Sequence, residues 1–107
     1  MDSNGYAPSL IKKSYGECDS CFLCGRTSGK LDRHEIFHGP YRQKSKRLGL
    51  WVTLCHECHM DLHQHDANKD RALKNLGQLV AMGEFKWNIY DFRREFGKNY
   101  LDIEEDT

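Results

Sequence analysis

Two Cys-x-x-Cys pairs constrain this chain more than any other feature. Cys21-Phe-Leu-Cys24 and Cys55-His-Glu-Cys58 are separated by the thirty residues 25–54. A Cys-x-x-Cys turn aims two thiolates at one point, and two such turns make a tetrahedral four-sulfur site of the kind zinc prefers. Bound zinc lowers the thiol pKa enough to keep all four sulfurs ionised. Gly25 follows the first pair, where a tight turn benefits from it. A further cysteine makes Cys18-Asp-Ser-Cys21 another such pair, so the first half of the site is Cys21/Cys24 or Cys18/Cys21. Gly25 favours Cys21/Cys24. Five cysteines are an odd number and suit a disulfide framework poorly, and thiols kept for metal imply a reducing compartment.

A chain of 107 residues has room for one small core, and such a domain often needs a staple. With 38% hydrophobic and 30% charged residues it is not a disordered composition. No apolar run approaches the ~20 residues that cross a bilayer, so no membrane partner is expected. Met1 to Lys13 lack the apolar core of a signal peptide, and the expected location is the cytoplasm. Sixteen basic residues balance sixteen acidic ones, but unevenly: residues 26–47 carry +5 and residues 48–107 carry −4. A basic segment next to a metal site can neutralise phosphates.

Along the chain, residues 1–17 read as a flexible arm and 18–29 as the first metal knuckle. Leu31, Ile36 and Phe37 mark a short strand within 30–38, which Gly39-Pro40 breaks. Tyr41 to Leu48 form a basic loop or short helix. Leu50-Trp-Val-Thr-Leu54 is the strongest strand signal and runs into the second knuckle. A helix is expected over 57–65. A second helix should run from 67 or 68 to about 82, with Leu73, Leu76, Leu79 and Val80 on one face and Gly83 as its stop. Asp91 is the expected cap of a third helix over 92–96, ended by Gly97. The aromatics from Phe85 to Tyr100 lie in the acidic half and are expected to pack over the core rather than stack on bases.

His59 and His63 are four apart, so a helix stacks them on one face within reach of one metal ion. His56 and His65 lie off that face. His34, at the end of the first strand, supplies a third imidazole. Strand, loop, strand and helix, with one His on the first strand and two on the helix, outline a metal cleft.

These residues resemble a known family. His34-Glu-Ile-Phe37, Gly39-Pro-Tyr-Arg-Gln-Lys-Ser45, Leu48-Gly-Leu-Trp-Val52, Leu54-Cys-His-Glu-Cys-His59 and, more weakly, Asp91 to Leu101 look like corresponding stretches of zinc-knuckle HNH (ββα-metal) endonucleases, in particular small phage-type HNH proteins. The resemblance covers roughly residues 18–101. It implies an α+β fold: a small zinc-stapled ββα-metal core over 18–66, a C-terminal helical extension over 67–101 packed on it, and an acidic tail over 102–107. It also implies a metal-dependent DNA endonuclease, phage or prophage encoded and acting in a bacterial cytoplasm. Structural Zn²⁺ would sit on Cys21, Cys24, Cys55 and Cys58. Catalytic Mg²⁺ or another divalent metal would sit on His34, His59 and His63. Arg42, Lys44, Lys46 and Arg47 would hold DNA phosphates. His34 and Glu35 would be the catalytic residues on the strand.

The sequence departs from that pattern at two points. Glu35 stands where the family has its base, a second His; an unperturbed Glu, with a pKa of about 4.3, is a weak base at neutral pH and can also ligate metal. The Asn of the motif is absent: Gly49 or Leu50 precedes the second knuckle, and Tyr41 stands in the basic loop. A catalytically inactive HNH-like zinc module that binds DNA or a protein partner is therefore the alternative, followed by a structural zinc protein with incidental histidines.

Overall fold

Strand β2, Trp51–Cys55, organises the fold. In the computed structural model, which describes residues 4–15, 20–65 and 67–101 (13–15 by backbone alone), β2 pairs antiparallel with β1, Leu31–Glu35, in the register His34 opposite Val52 and Glu35 opposite Trp51. Residues opposite one another share a face, and faces alternate along each strand. Asp32, His34, Val52 and Leu54 therefore share one face; Arg33, Glu35, Trp51 and Thr53 share the other. An isolated two-stranded hairpin is marginal in water, so both faces need cover.

Helix α3, His56–Gln64, starts directly from β2 and packs on the His34 face. Helix α4, Ala67–Phe85, packs against α3, and α5, Ile89–Phe96, packs against α4. Gly77 lets α4 approach closely, because a side-chain carbon there would meet Ile36 and Phe37 at 3.0 and 3.1 Å. Phe37, Phe92 and Phe96 are buried with ring centroids 4.6 to 5.3 Å apart, each burial worth about 1.5–3 kcal/mol. The aromatic tail thus packs over the core, as its position in the acidic half suggests, with Tyr90 the exposed member.

Two boundaries differ from the sequence reading. Helix α4 passes Gly83 and ends at Phe85. The cap of α5 is Asn88, whose side chain accepts from the Asp91 N–H while Asp91 accepts from the Asn88 N–H; Asp91 is the other half of a capping box. Gly97, at φ 78°, closes α5 as expected.

The larger correction concerns the N-terminal arm. Its described residues are built into the fold: Leu10–Tyr15 form helix α1, and Ile11 is fully buried. The Trp51 indole donates to the Ala7 carbonyl at 2.7 Å, Ser9 Oγ donates to the Trp51 carbonyl at 2.7 Å, and the Tyr6 ring meets Trp51 edge-on. This segment covers the second face of the hairpin. Gly5, Pro8 and Ser9 read as loop because the segment gains its order from β2, not from its own propensity.

The basic stretch forms a 3₁₀ turn, Gly39–Tyr41, and helix α2, Arg42–Arg47. Fully buried Ser45 anchors it: its hydroxyl donates to the Leu50 carbonyl and accepts from the Phe37 N–H. Among the described residues no helix is long and apolar enough to cross a membrane. The pairing through Cys18 and the acidic tail lie outside the described residues.

Candidate metal centres

Cys21, Cys24, Cys55 and Cys58 come together, with all four sulfurs within 4.8 Å of one another. The first knuckle closes on itself: Gly25 N–H donates to the Cys21 carbonyl and Cys21 N–H to the Arg26 carbonyl, both at 2.8 Å. The second knuckle is the junction of β2 and α3, where Cys55 caps the helix with extended backbone. Phe22 N–H bonds the Thr53 carbonyl and ties the knuckles together. Burial opposes ionisation of Cys21, but backbone N–H groups of Cys55, Cys24 and Leu23 outweigh it and bring its thiol down to about 6. Burial and the neighbouring sulfurs push Cys58 up. Crowded thiols cannot all ionise unaided; a cation at their centre resolves the conflict. The four cysteines can hold a metal ion.

The second centre joins strand to helix. His34 Nε2 or Nδ1 and the ring nitrogens of His59 and His63 supply three ligand atoms within 4.8 Å of one another. The His34 ring lies 5.3 Å from both partner rings, which are themselves 5.0 Å apart. His34 is 2% exposed, and its Nε2 is a buried polar atom with no hydrogen-bond partner among the described residues. Such an orphan costs about 1–3 kcal/mol unless something accepts or fills it. Burial, followed by the nearby imidazoles, lowers its pKa to about 4, so the ring is neutral with a free lone pair around neutral pH. Burial likewise lowers His63. Neutral imidazoles with an orphaned buried nitrogen fit a metal ion.

Asp32 orients this group and was not anticipated. Its Oδ2 lies 3.1 Å from both His59 Nδ1 and His56 Nδ1. A carboxylate only accepts, so His59 donates through Nδ1 and presents Nε2 as its lone pair. The hydrogen bond from His59, ahead of that from His56, holds the Asp32 carboxyl below its ordinary range. The signal was in the sequence: Asp32 is two residues before His34 and so shares its face. Asp32→Ala is expected to weaken divalent-metal binding at the His centre about 10–100-fold, read by calorimetric titration with Mn²⁺, without changing the four-cysteine centre.

Glu35 is not brought to the triad. It points from the other face of β1, is 7% exposed, and accepts from Arg42 Nε at 2.7 Å. Burial would raise its pKa, but Arg42, its backbone and the Tyr6 hydroxyl outweigh burial and hold it below its ordinary range. An ion-paired carboxylate one pleat away serves poorly as base or ligand. The reason is register: neighbours on a strand cannot share a face.

The four basic residues of α2 are distributed unequally. Arg42 is paired to Glu35, and Lys44 reaches the Glu95 carbonyl at 2.8 Å. Lys46 lies over the Tyr6 ring, 4.6 Å from its centroid. Arg47 is exposed. Beside the triad a surface pocket of about 300 Å³ is lined by His38, His63, His65 and Asp70 among others. His38 and Asp70 carried no sequence motif. Comparison with known family models, characterised proteins and solved structures gave no match to this chain.

Proposed function

We propose that the protein is a metal-dependent DNA endonuclease of the HNH (ββα-metal) type, with a structural zinc on Cys21, Cys24, Cys55 and Cys58. One observation carries the reading: the orphaned, buried Nε2 of His34 beside His59 and His63, on a hairpin and helix stapled by four cysteines. His34, His59 and His63 would hold a divalent cation, which would supply Lewis-acid stabilisation of a phosphate and of the oxygen that leaves it. Imidazole ligands suit Mn²⁺, Ni²⁺ and Zn²⁺, and the resemblance adds Mg²⁺. His34 stays neutral through burial, and Asp32 fixes the His59 tautomer. Arg47, with Lys46 beside it, offers charge to flanking phosphates without reading sequence.

A second reading has its own observation. Glu35, at the position of the family's base, is neutralised by Arg42, which favours a zinc-stapled module that binds DNA or a protein without turnover. The assay that separates them uses supercoiled plasmid, branched DNA and single-stranded DNA with Mg²⁺, Mn²⁺ or Ni²⁺. The nuclease reading expects cleavage with at least one metal and none in excess chelator. Folded, zinc-loaded protein that cuts nothing under any of these conditions selects the binding module, and a steep salt dependence of its DNA affinity would then mark a phosphate binder.

A further inference from the structure

Glu35 leaves a vacancy in the chemistry: something must take the proton of the attacking water. Of the two further histidines that line the pocket beside the triad, His38 and His65, His38 is the one with ring contacts to the triad among the described residues. His38 follows the buried Ile36-Phe37 pair and stands just before the 3₁₀ turn, which brings its ring back over helix α3. Its centroid lies 5.5 Å from that of His63 and 6.0 Å from that of His34. Its ring nitrogen Nε2 is 3.2 Å from Asp70 Oδ1, and Asp70 is steadied from its other oxygen by Lys74 at 2.8 Å. Because a carboxylate only accepts, neutral His38 carries its proton on Nε2 and its lone pair on Nδ1. His38, His63 and Asp70 line the same open pocket, so water and a phosphate have access to them.

We propose that His38 is the proton acceptor for the hydrolytic step and that Asp70 is its positioning residue. The assignment rests on the nuclease reading above. Water oxygen bonds to phosphorus, one water proton passes to His38 Nδ1, and the phosphorus–oxygen bond to the leaving group breaks. The leaving oxygen takes a proton from solvent, and His38 returns its own proton to solvent. The net change is one water added across one phosphodiester bond.

The test compares wild type, His38→Ala, His38→Gln and Asp70→Asn, all loaded with zinc and with Mn²⁺. His38 is partly exposed and belongs to neither metal centre, so both His38 variants should keep the wild-type metal count and DNA affinity. Their kcat is expected to fall about 100–10,000-fold with little change in KM. Nitrogen-15 NMR of the proteins loaded with zinc, and with diamagnetic Mg²⁺ in place of Mn²⁺, gives a readout apart from activity: wild-type His38 should show the Nε2-protonated tautomer, and Asp70→Asn should lose that preference together with part of kcat. Wild type that cuts while His38→Ala cuts within threefold of it overturns the assignment alone, as does an Nδ1-protonated His38 in wild type. Wild type that cuts no DNA overturns the nuclease reading, and the assignment with it.

Discussion

Alanine at His34 or at His63 is expected to abolish DNA cleavage and leave a folded, zinc-loaded protein. On the proposed nuclease reading, losing one of three ligands would remove most of the affinity for the divalent ion and with it the charge stabilisation at the phosphate. The expected loss is about 1,000-fold or more, equivalent to about 4 kcal/mol of transition-state stabilisation. The two variants test the point differently. His63 is exposed, so its truncation should change stability by no more than about 0.5 kcal/mol. His34 is buried, and its removal leaves a cavity. It also removes the unpartnered Nε2, and the two effects offset. Cleavage by plasmid assay and unfolding by circular dichroism check both halves. Near-wild-type cleavage by both variants would contradict the role of the triad.

Removing the zinc proposed for the four cysteines is expected to unfold the protein. Native stability in a chain of this size is about 5–15 kcal/mol, and a structural zinc supplies about 10–16 kcal/mol of apparent binding free energy. The sheet has two strands, the knuckles join residues 21–24 to 55–58, and Cys55 both ends β2 and caps α3. Without the cation, buried Cys21 and Cys55 face two further sulfurs at close range. A strong chelator, or Cys55→Ser, should abolish the cooperative thermal transition and most of the helical signal at 25 °C. A chelated protein that still melts cooperatively within a few degrees of the zinc form would contradict a structural role for the four-cysteine centre.

The two candidate clusters were legible because metal-ligating residue types obey spacing rules. Cys-x-x-Cys pairs and histidines four apart specify geometry locally, and β2 announces itself by its β-branched and aromatic run. Glu35 was misplaced because a motif match counts positions along the chain, whereas the pleat decides which face a side chain takes. Asp32 followed from the same alternation and was legible in principle. His38 and Asp70 were not: they are 32 residues apart and are brought together by the fold, in which Gly77 lets α4 come close to Ile36 and Phe37. The N-terminal helix was hidden for a related reason, since Ile11 and Ser9 are ordered by contacts to a strand forty residues away. Ser45 and Gln78 belong to the same class. Each is a fully buried polar side chain whose partners, Leu50 and Phe37 for one and Asn99 and Tyr100 for the other, are fixed by the fold.

On the reading proposed above, one small fold holds two metal centres with different tasks. Native mass spectrometry of the zinc-loaded protein, with Mn²⁺ supplied and then withdrawn, tests it most directly. Two ions per chain in wild type are expected, one retained throughout and one exchangeable, with only the retained ion left in His63→Ala. A single ion per chain in both proteins, under every Mn²⁺ concentration that keeps them folded, would contradict it.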